Sequence, residues 1–148
     1  MIISFVGNSK LHDLQSIRTQ VKGVIQGILQ EKAGPFVFYC GGYGDFDLLC
    51  ATVLQELKAE GFALENFYVT PYLTNDSRLS NPHFLKHYDG TIYPPIEHIP
   101  PRLAILARNH WMIDASDLVL CYVFSTFGGA AKTRAYAKRK KKEIWDLV

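Results

Sequence analysis

At 148 residues the chain is long enough for one domain that buries roughly 70% of its unfolded surface without disulfide or metal staples. Its 48% hydrophobic and 20% charged residues are those of an ordinary globular protein, and no apolar run approaches the roughly 18 residues of a membrane span. The formal net charge of +2 is too small to argue for a nucleic-acid partner, so none is expected.

The first element, Ile2 to Val6, reads as a buried strand and not a signal peptide, because no basic leader or long apolar core accompanies it. Gly7-Asn8-Ser9 closes it. From Asp13 to Gln30, Leu14, Ile17, Val21, Val24, Ile25 and Ile28 recur at helical spacing. Gly34-Pro35 breaks the chain before a second strand, Phe36 to Cys40. A glycine turn, Gly41-Gly42-Tyr43-Gly44-Asp45, leads into a second helix, Phe46 to Glu60, which Gly61 stops.

A third strand begins at Phe67 to Val69. From Pro71 to Pro101 the pattern dissolves into a polar and aromatic connection. It holds one short helix with Asn81 as N-cap and Pro82 at its first position. Arg102 to Ala115 is helical, Leu118 to Val123 a buried strand, Gly129 to Lys142 a helix and Glu143 to Leu147 a last short strand. This alternation predicts an α/β protein: one three-layer domain spanning residues 1–148, its mainly parallel sheet of about five strands covered by helices on both faces.

Three cysteines, Cys40, Cys50 and Cys121, are odd in number and lack metal-ligand spacing. They read as buried thiols of a reducing compartment, which points to the cytoplasm. His83 and His87 stand four apart with no third ligand in view, so no metal site is expected. The run Lys138-Arg139-Lys140-Lys141-Lys142 ends a helix, where cations complement the dipole.

In an open parallel sheet the ligand sits beyond the carboxyl ends of the strands. Three turns should gather there: Gly7-Asn8-Ser9, Gly41-Gly42-Tyr43-Gly44-Asp45, and Ser125-Thr126-Phe127-Gly128-Gly129. The helix starts at Phe46 and Gly129 offer unpaired N–H groups to an anion. Neither turn fits a common phosphate fingerprint. Ala131 stands where a P-loop needs glycine, and Asp47 occupies the third glycine position of a dinucleotide loop. A carboxylate repels phosphate, so Asp45 or Asp47 suits sugar hydroxyls or an attacking water, with one of them serving as a helix N-cap.

The block Tyr93-Pro94-Pro95-Ile96-Glu97, Arg102, and Ala107-Arg108-Asn109-His110-Trp111-Met112-Ile113-Asp114-Ala115-Ser116-Asp117 is the second informative stretch. With the early glycine turn and the Gly128-Gly129 helix start, it resembles the SLOG superfamily. That group holds the Lonely Guy phosphoribohydrolases, the molybdenum-cofactor carrier proteins and a branch of small bacterial and phage proteins without assigned role, to which the block is most similar.

The resemblance implies a Rossmann-like fold that binds a nucleotide or nucleotide-derived sugar, requires no cofactor and is often dimeric. Gly7, Asn8, Ser9, Gly41, Gly42, Gly44, Asp47, Arg108, Asn109, Ser125, Gly128, Gly129 and Thr133 are the expected ligand contacts. Arg108 matches the family arginine and should reach a phosphate as a bidentate fork; its structural alternative is an ion pair with Asp114 or Asp117. The segment 71–101, with His87, Tyr88 and Tyr93, is expected to close as a lid.

Hydrolytic relatives carry Pro-Gly-Gly-x-Gly-Thr-x-x-Glu. Here Thr126-Phe127-Gly128-Gly129-Ala130-Ala131-Lys132-Thr133 lacks the glutamate. Enzymatic N-glycosidic cleavage of nucleoside monophosphates is therefore the alternative to binding, with Asp45, Asp47 and Glu97 as its candidate carboxylates. A protein-interaction module is the third reading.

Overall fold

The computed structural model describes residues 1–148. Six strands, β1 (Ile2–Gly7), β2 (Val37–Cys40), β3 (Glu65–Val69), β4 (Gly90–Ile92), β5 (Leu118–Tyr122) and β6 (Glu143–Asp146), form one sheet in the order β4-β3-β2-β1-β5-β6. Every neighbouring pair is parallel. Five helices accompany it: α1 (Leu14–Glu31), α2 (Asp45–Ala59), α3 (Pro82–Leu85), α4 (Ala104–Ala115) and α5 (Gly129–Arg139). The chain thus has the expected α/β Rossmann-like architecture. No helix is long and apolar enough to cross a membrane.

The pleat of β1 explains the layers, because alternate residues face opposite sides. Ile3 and Phe5 pack with Ile17, Val21 and Ile25 of α1 and with Leu49, Val53 and Leu57 of α2. On the other face, Val6 packs with Ile113 of α4 and Ala137 of α5. Ser4 also turns that way, bonding the Ser116 hydroxyl at 2.6 Å. All three cysteines are buried free thiols, and burial pushes the Cys121 thiol up to about 12.

The expectation of five strands falls one short. The additional strand, β4, lies inside the long connection, where Phe67, Tyr68 and Val69 of β3 pair with Gly90, Thr91 and Ile92. Three residues carry too little alternation to signal a strand, and the pairing with β3 creates it. The same segment is no lid. Tyr68, Phe84 and Tyr88 form an aromatic cluster, with Tyr68 edge-on to Phe84 at 4.9 Å and tilted against Tyr88 at 5.8 Å. His87 bonds Gln55 at 2.8 Å. The short helix does start as expected, with the Asn81 side chain accepting from the His83 and Phe84 N–H groups.

The sheet order sets the site. From β1 the chain moves outward through β2, β3 and β4, then returns to place β5 on the opposite side of β1. The connections therefore diverge beyond the carboxyl ends of β1 and β5, which opens a crevice there.

Candidate functional site

A cavity of about 650 Å³ occupies that crevice, within the size range of small-molecule sites. Gly7, Asn8, Ser9, Asp47, Arg108, Asn109, Ser125, Gly128, Gly129 and Thr133 line it, so ten of the thirteen ligand contacts expected from sequence are brought together. Gly41, Gly42 and Gly44 do not line it; they shape the turn behind its wall.

Gly7 ends β1 where Phe46, at the start of α2, packs directly on its backbone. A Cβ here would collide with the Phe46 ring, so the close approach requires glycine. Asn8 bridges the two strand exits. Its amide nitrogen donates to Ser125 Oγ at 2.8 Å, and its carbonyl oxygen accepts from the Phe124 N–H at 2.9 Å.

The two aspartates of the glycine turn separate in role. Asp45 accepts from the Leu11 N–H at 2.9 Å, and its own N–H donates to Ser9 O at 2.8 Å. It fastens the β1–α1 loop to α2 and lies outside the cavity. Asp47 lines the cavity, half-buried, with Oδ2 accepting from the Tyr43 N–H at 3.1 Å. Burial raises its carboxyl to about 6, against the opposing pull of Arg108 and of that N–H. Glu97 is exposed and does not line the cavity. The resemblance placed no constraint on where the 71–101 segment would carry it.

Arg108 is the largest fully buried side chain, at 1% exposure. Its Nη1 donates to the carbonyls of Gly41 at 2.8 Å and Val69 at 2.6 Å, and its Nε donates to Asn109 Oδ1 at 2.9 Å. Nη2 has no hydrogen-bond partner in the protein and is not sealed from the cavity. The bidentate fork expected of Arg108 is therefore unavailable, because three of its five donors are directed at the protein. Nor does it pair with Asp114 or Asp117. Asp114 accepts from the Tyr136 hydroxyl, and Asp117 accepts from the Ile2 N–H.

Asn109 and Thr133 pass the arrangement on to α5. Asn109 donates to Thr133 Oγ1 at 3.3 Å, and Thr133 donates to Gly129 O at 2.9 Å. Gly128 precedes α5 at φ 94, a left-handed conformation that suits glycine. The first intrahelical bond of this turn runs from Lys132 N to Gly128 O, leaving the Gly129, Ala130 and Ala131 N–H groups without intrahelical acceptors, and Gly129 and Ala130 line the cavity.

Sequence reading missed several lining residues, among them Lys10, Tyr43, Ile105, Phe124 and Phe127. Phe124 and Phe127 are 55% and 81% exposed. Two aromatic residues flanking a glycine turn were the available signal. Tyr43 is held between cations, with the Arg78 guanidinium 3.8 Å and that of Arg108 5.1 Å from its ring centre. Arg78 also donates to Gly42 O at 3.0 Å, which is how the long connection braces the site.

The fold and crevice together define a Rossmann-like α/β domain with an open cleft at the carboxyl edge of its parallel sheet. Among solved structures, the chain is similar to DNA processing protein A from Helicobacter pylori, with a TM-score of 0.67 at 13% identity, covering 99% of this chain and 64% of that one. It is similar to DNA processing protein A from Streptococcus pneumoniae at a TM-score of 0.69 and 14% identity, covering 97% and 49% of the two chains. It is also similar to TM1055, at 0.62 and 14%, covering 97% and 71%.

The chain thus spans less than two thirds of either DNA processing protein. No family model and no curated protein sequence matches it. The Helicobacter protein has a single-stranded DNA binding mode. This overturns the expectation drawn from the net charge of +2: a protein sharing this fold takes nucleic acid, so overall charge gives no ground for setting that partner aside.

Proposed function

We propose that the crevice binds a nucleotide or nucleotide-derived sugar, as the resemblance to the SLOG superfamily implies. The carrying observation is the buried Arg108, which is held on three donors while Nη2 is left for the cavity. A buried guanidinium is costly unless its remaining hydrogen-bond capacity is met, and a ligand oxygen meets it. The open turn at Gly128-Gly129 suits the anionic group, since N–H groups and dipole both favour negative charge there. Asp47, an acceptor, suits the sugar.

The test is calorimetry with nucleoside 5′-monophosphates, the corresponding nucleosides and ribose 5-phosphate. Saturable binding that is stronger for the phosphorylated member of each pair supports the reading; no heat at millimolar concentration defeats it. Chromatography of the same mixtures for free base distinguishes pure binding from glycosidic cleavage. Asp47 is the one candidate carboxylate that lines the cavity and could serve cleavage.

Single-stranded nucleic acid is a second reading, favoured by the exposed Phe124 and Phe127 at the cavity rim. Aromatic faces stack on bases of any sequence, and Lys10 adds a cation beside them. Titration with a fluorescent oligothymidylate tests it.

A further inference from the structure

Arg108 Nη2 and Asp47 Oδ2 approach the same small space from two sides. Each lies 3.3 Å from the point where a Cβ on Gly41 would stand, yet the two groups do not form an ion pair. One is a donor with no acceptor in the protein. The other is a carboxylate oxygen already receiving the Tyr43 N–H and able to accept again. Gly41 is buried beside them and contributes no side chain to the gap.

We propose that Arg108 and Asp47 grip a single sugar hydroxyl between them, which makes the site selective for ribose over its deoxy forms. This rests on the nucleotide-binding reading above. A hydroxyl is the group that fits the pair, because its oxygen accepts from Nη2 while its proton goes to the carboxylate. Phosphate fits poorly, because Asp47 repels it and Arg108 offers the N–H groups of one nitrogen, Nη2, and no two-nitrogen fork. The anion is thereby left to the α5 turn.

The specificity follows from the cost of a missing partner. A ligand lacking that hydroxyl leaves a guanidinium N–H and a carboxylate oxygen facing each other across an emptied gap. Sites built to bond a hydroxyl reject the analogue lacking it far more strongly than apolar pockets reject a missing methylene. Gly41 gives an independent handle. Its φ is not in the left-handed region, and a methyl would meet Arg108 and Asp47 at 3.3 Å, a contact that slight movement relieves. Alanine here fills the gap without altering charge.

The experiment compares adenosine 5′-monophosphate with its 2′-deoxy and 3′-deoxy counterparts by calorimetry, on the wild type and on Gly41→Ala, with melting temperatures of both. The expected result is at least a tenfold loss of affinity for one of the two deoxy forms in the wild type. Gly41→Ala should bind all three at the weaker level while still melting cooperatively. Equal binding of the three by the wild type overturns the proposal but leaves nucleotide binding standing. Discrimination that survives in a folded Gly41→Ala also overturns it. Failure of all three to bind defeats both readings.

Discussion

Asn8, at the exit of β1, and Ser125, beyond the exit of β5, meet at 2.8 Å across the crevice, and the same Asn8 side chain also receives the Phe124 N–H at 2.9 Å. A single amide therefore sets the distance between the two loops that form the cavity wall. Asn8→Ala should cost about 1–2 kcal/mol in urea denaturation, the worth of two part-buried hydrogen bonds. Amide exchange should speed up over residues 123–126 and remain slow in the β1–β2 pair. Uniform acceleration across the sheet would show that Asn8 acts on global stability alone.

Asp47 is held ionisable at a cost to stability. Its carboxyl is raised to about 6 in the fold, above its unfolded value, so the folded state binds the proton more tightly. The stability it permits is present at acidic pH and declines as pH rises from about 4 through 6. Asp47→Asn should remove that decline and raise stability at pH 7 by on the order of 1–2 kcal/mol, allowing for water in the cavity. The measurement is urea midpoint against pH for both proteins; parallel profiles would contradict it. The same variant should bind ligand less well.

Asp76 shows the opposite sign. It accepts from the Tyr68 and Thr70 hydroxyls and from the Arg78 N–H, the last two at 2.6 and 3.0 Å. Burial pushes its carboxyl up, but these bonds outweigh burial and hold it below the ordinary value. Its contribution is complete at neutral pH and is lost on acidification below the ordinary carboxylate range. Asp76→Ala should destabilise by about 2–4 kcal/mol, because buried hydroxyls lose their acceptor. It should also loosen Arg78 from Tyr43, seen as weaker ligand binding in the surviving folded fraction.

Phe127, at 81% exposure, supports no core packing. Phe127→Ala should leave the melting transition within about 0.5 kcal/mol of wild type. If bases stack on it, oligothymidylate affinity should fall about fivefold to a hundredfold. An unchanged affinity would remove Phe127 from any nucleic-acid contact.

Local chemistry made much of the fold legible. The helix over Leu14–Glu31 follows from apolar residues at helical spacing, and the buried strands of β1 and β5 from short apolar runs ended by turn residues. Asn81-Pro82 marked a helix start because capping depends on immediate neighbours. The three turns could be assigned to one sheet edge because parallel connectivity leaves the carboxyl ends of the strands together.

What the tertiary structure alone decided involves partners far apart in sequence. β4 exists because β3 offers it an edge. The 71–101 segment became a brace through Arg78 and not a lid, because Asp76, Tyr68 and Tyr43 fix where it runs. Asp45 and Asp47 are two residues apart and chemically identical, yet one ties Leu11 while the other faces the cavity, since helix geometry turns their side chains to different surroundings. The sequence alone determined that an arginine, a carboxylate and a glycine-started helix would share one crevice. Only packing decided that Arg108 would direct three donors at the protein and keep Nη2 for the cavity, because Gly41 and Val69 supply those acceptors from 67 and 39 residues away.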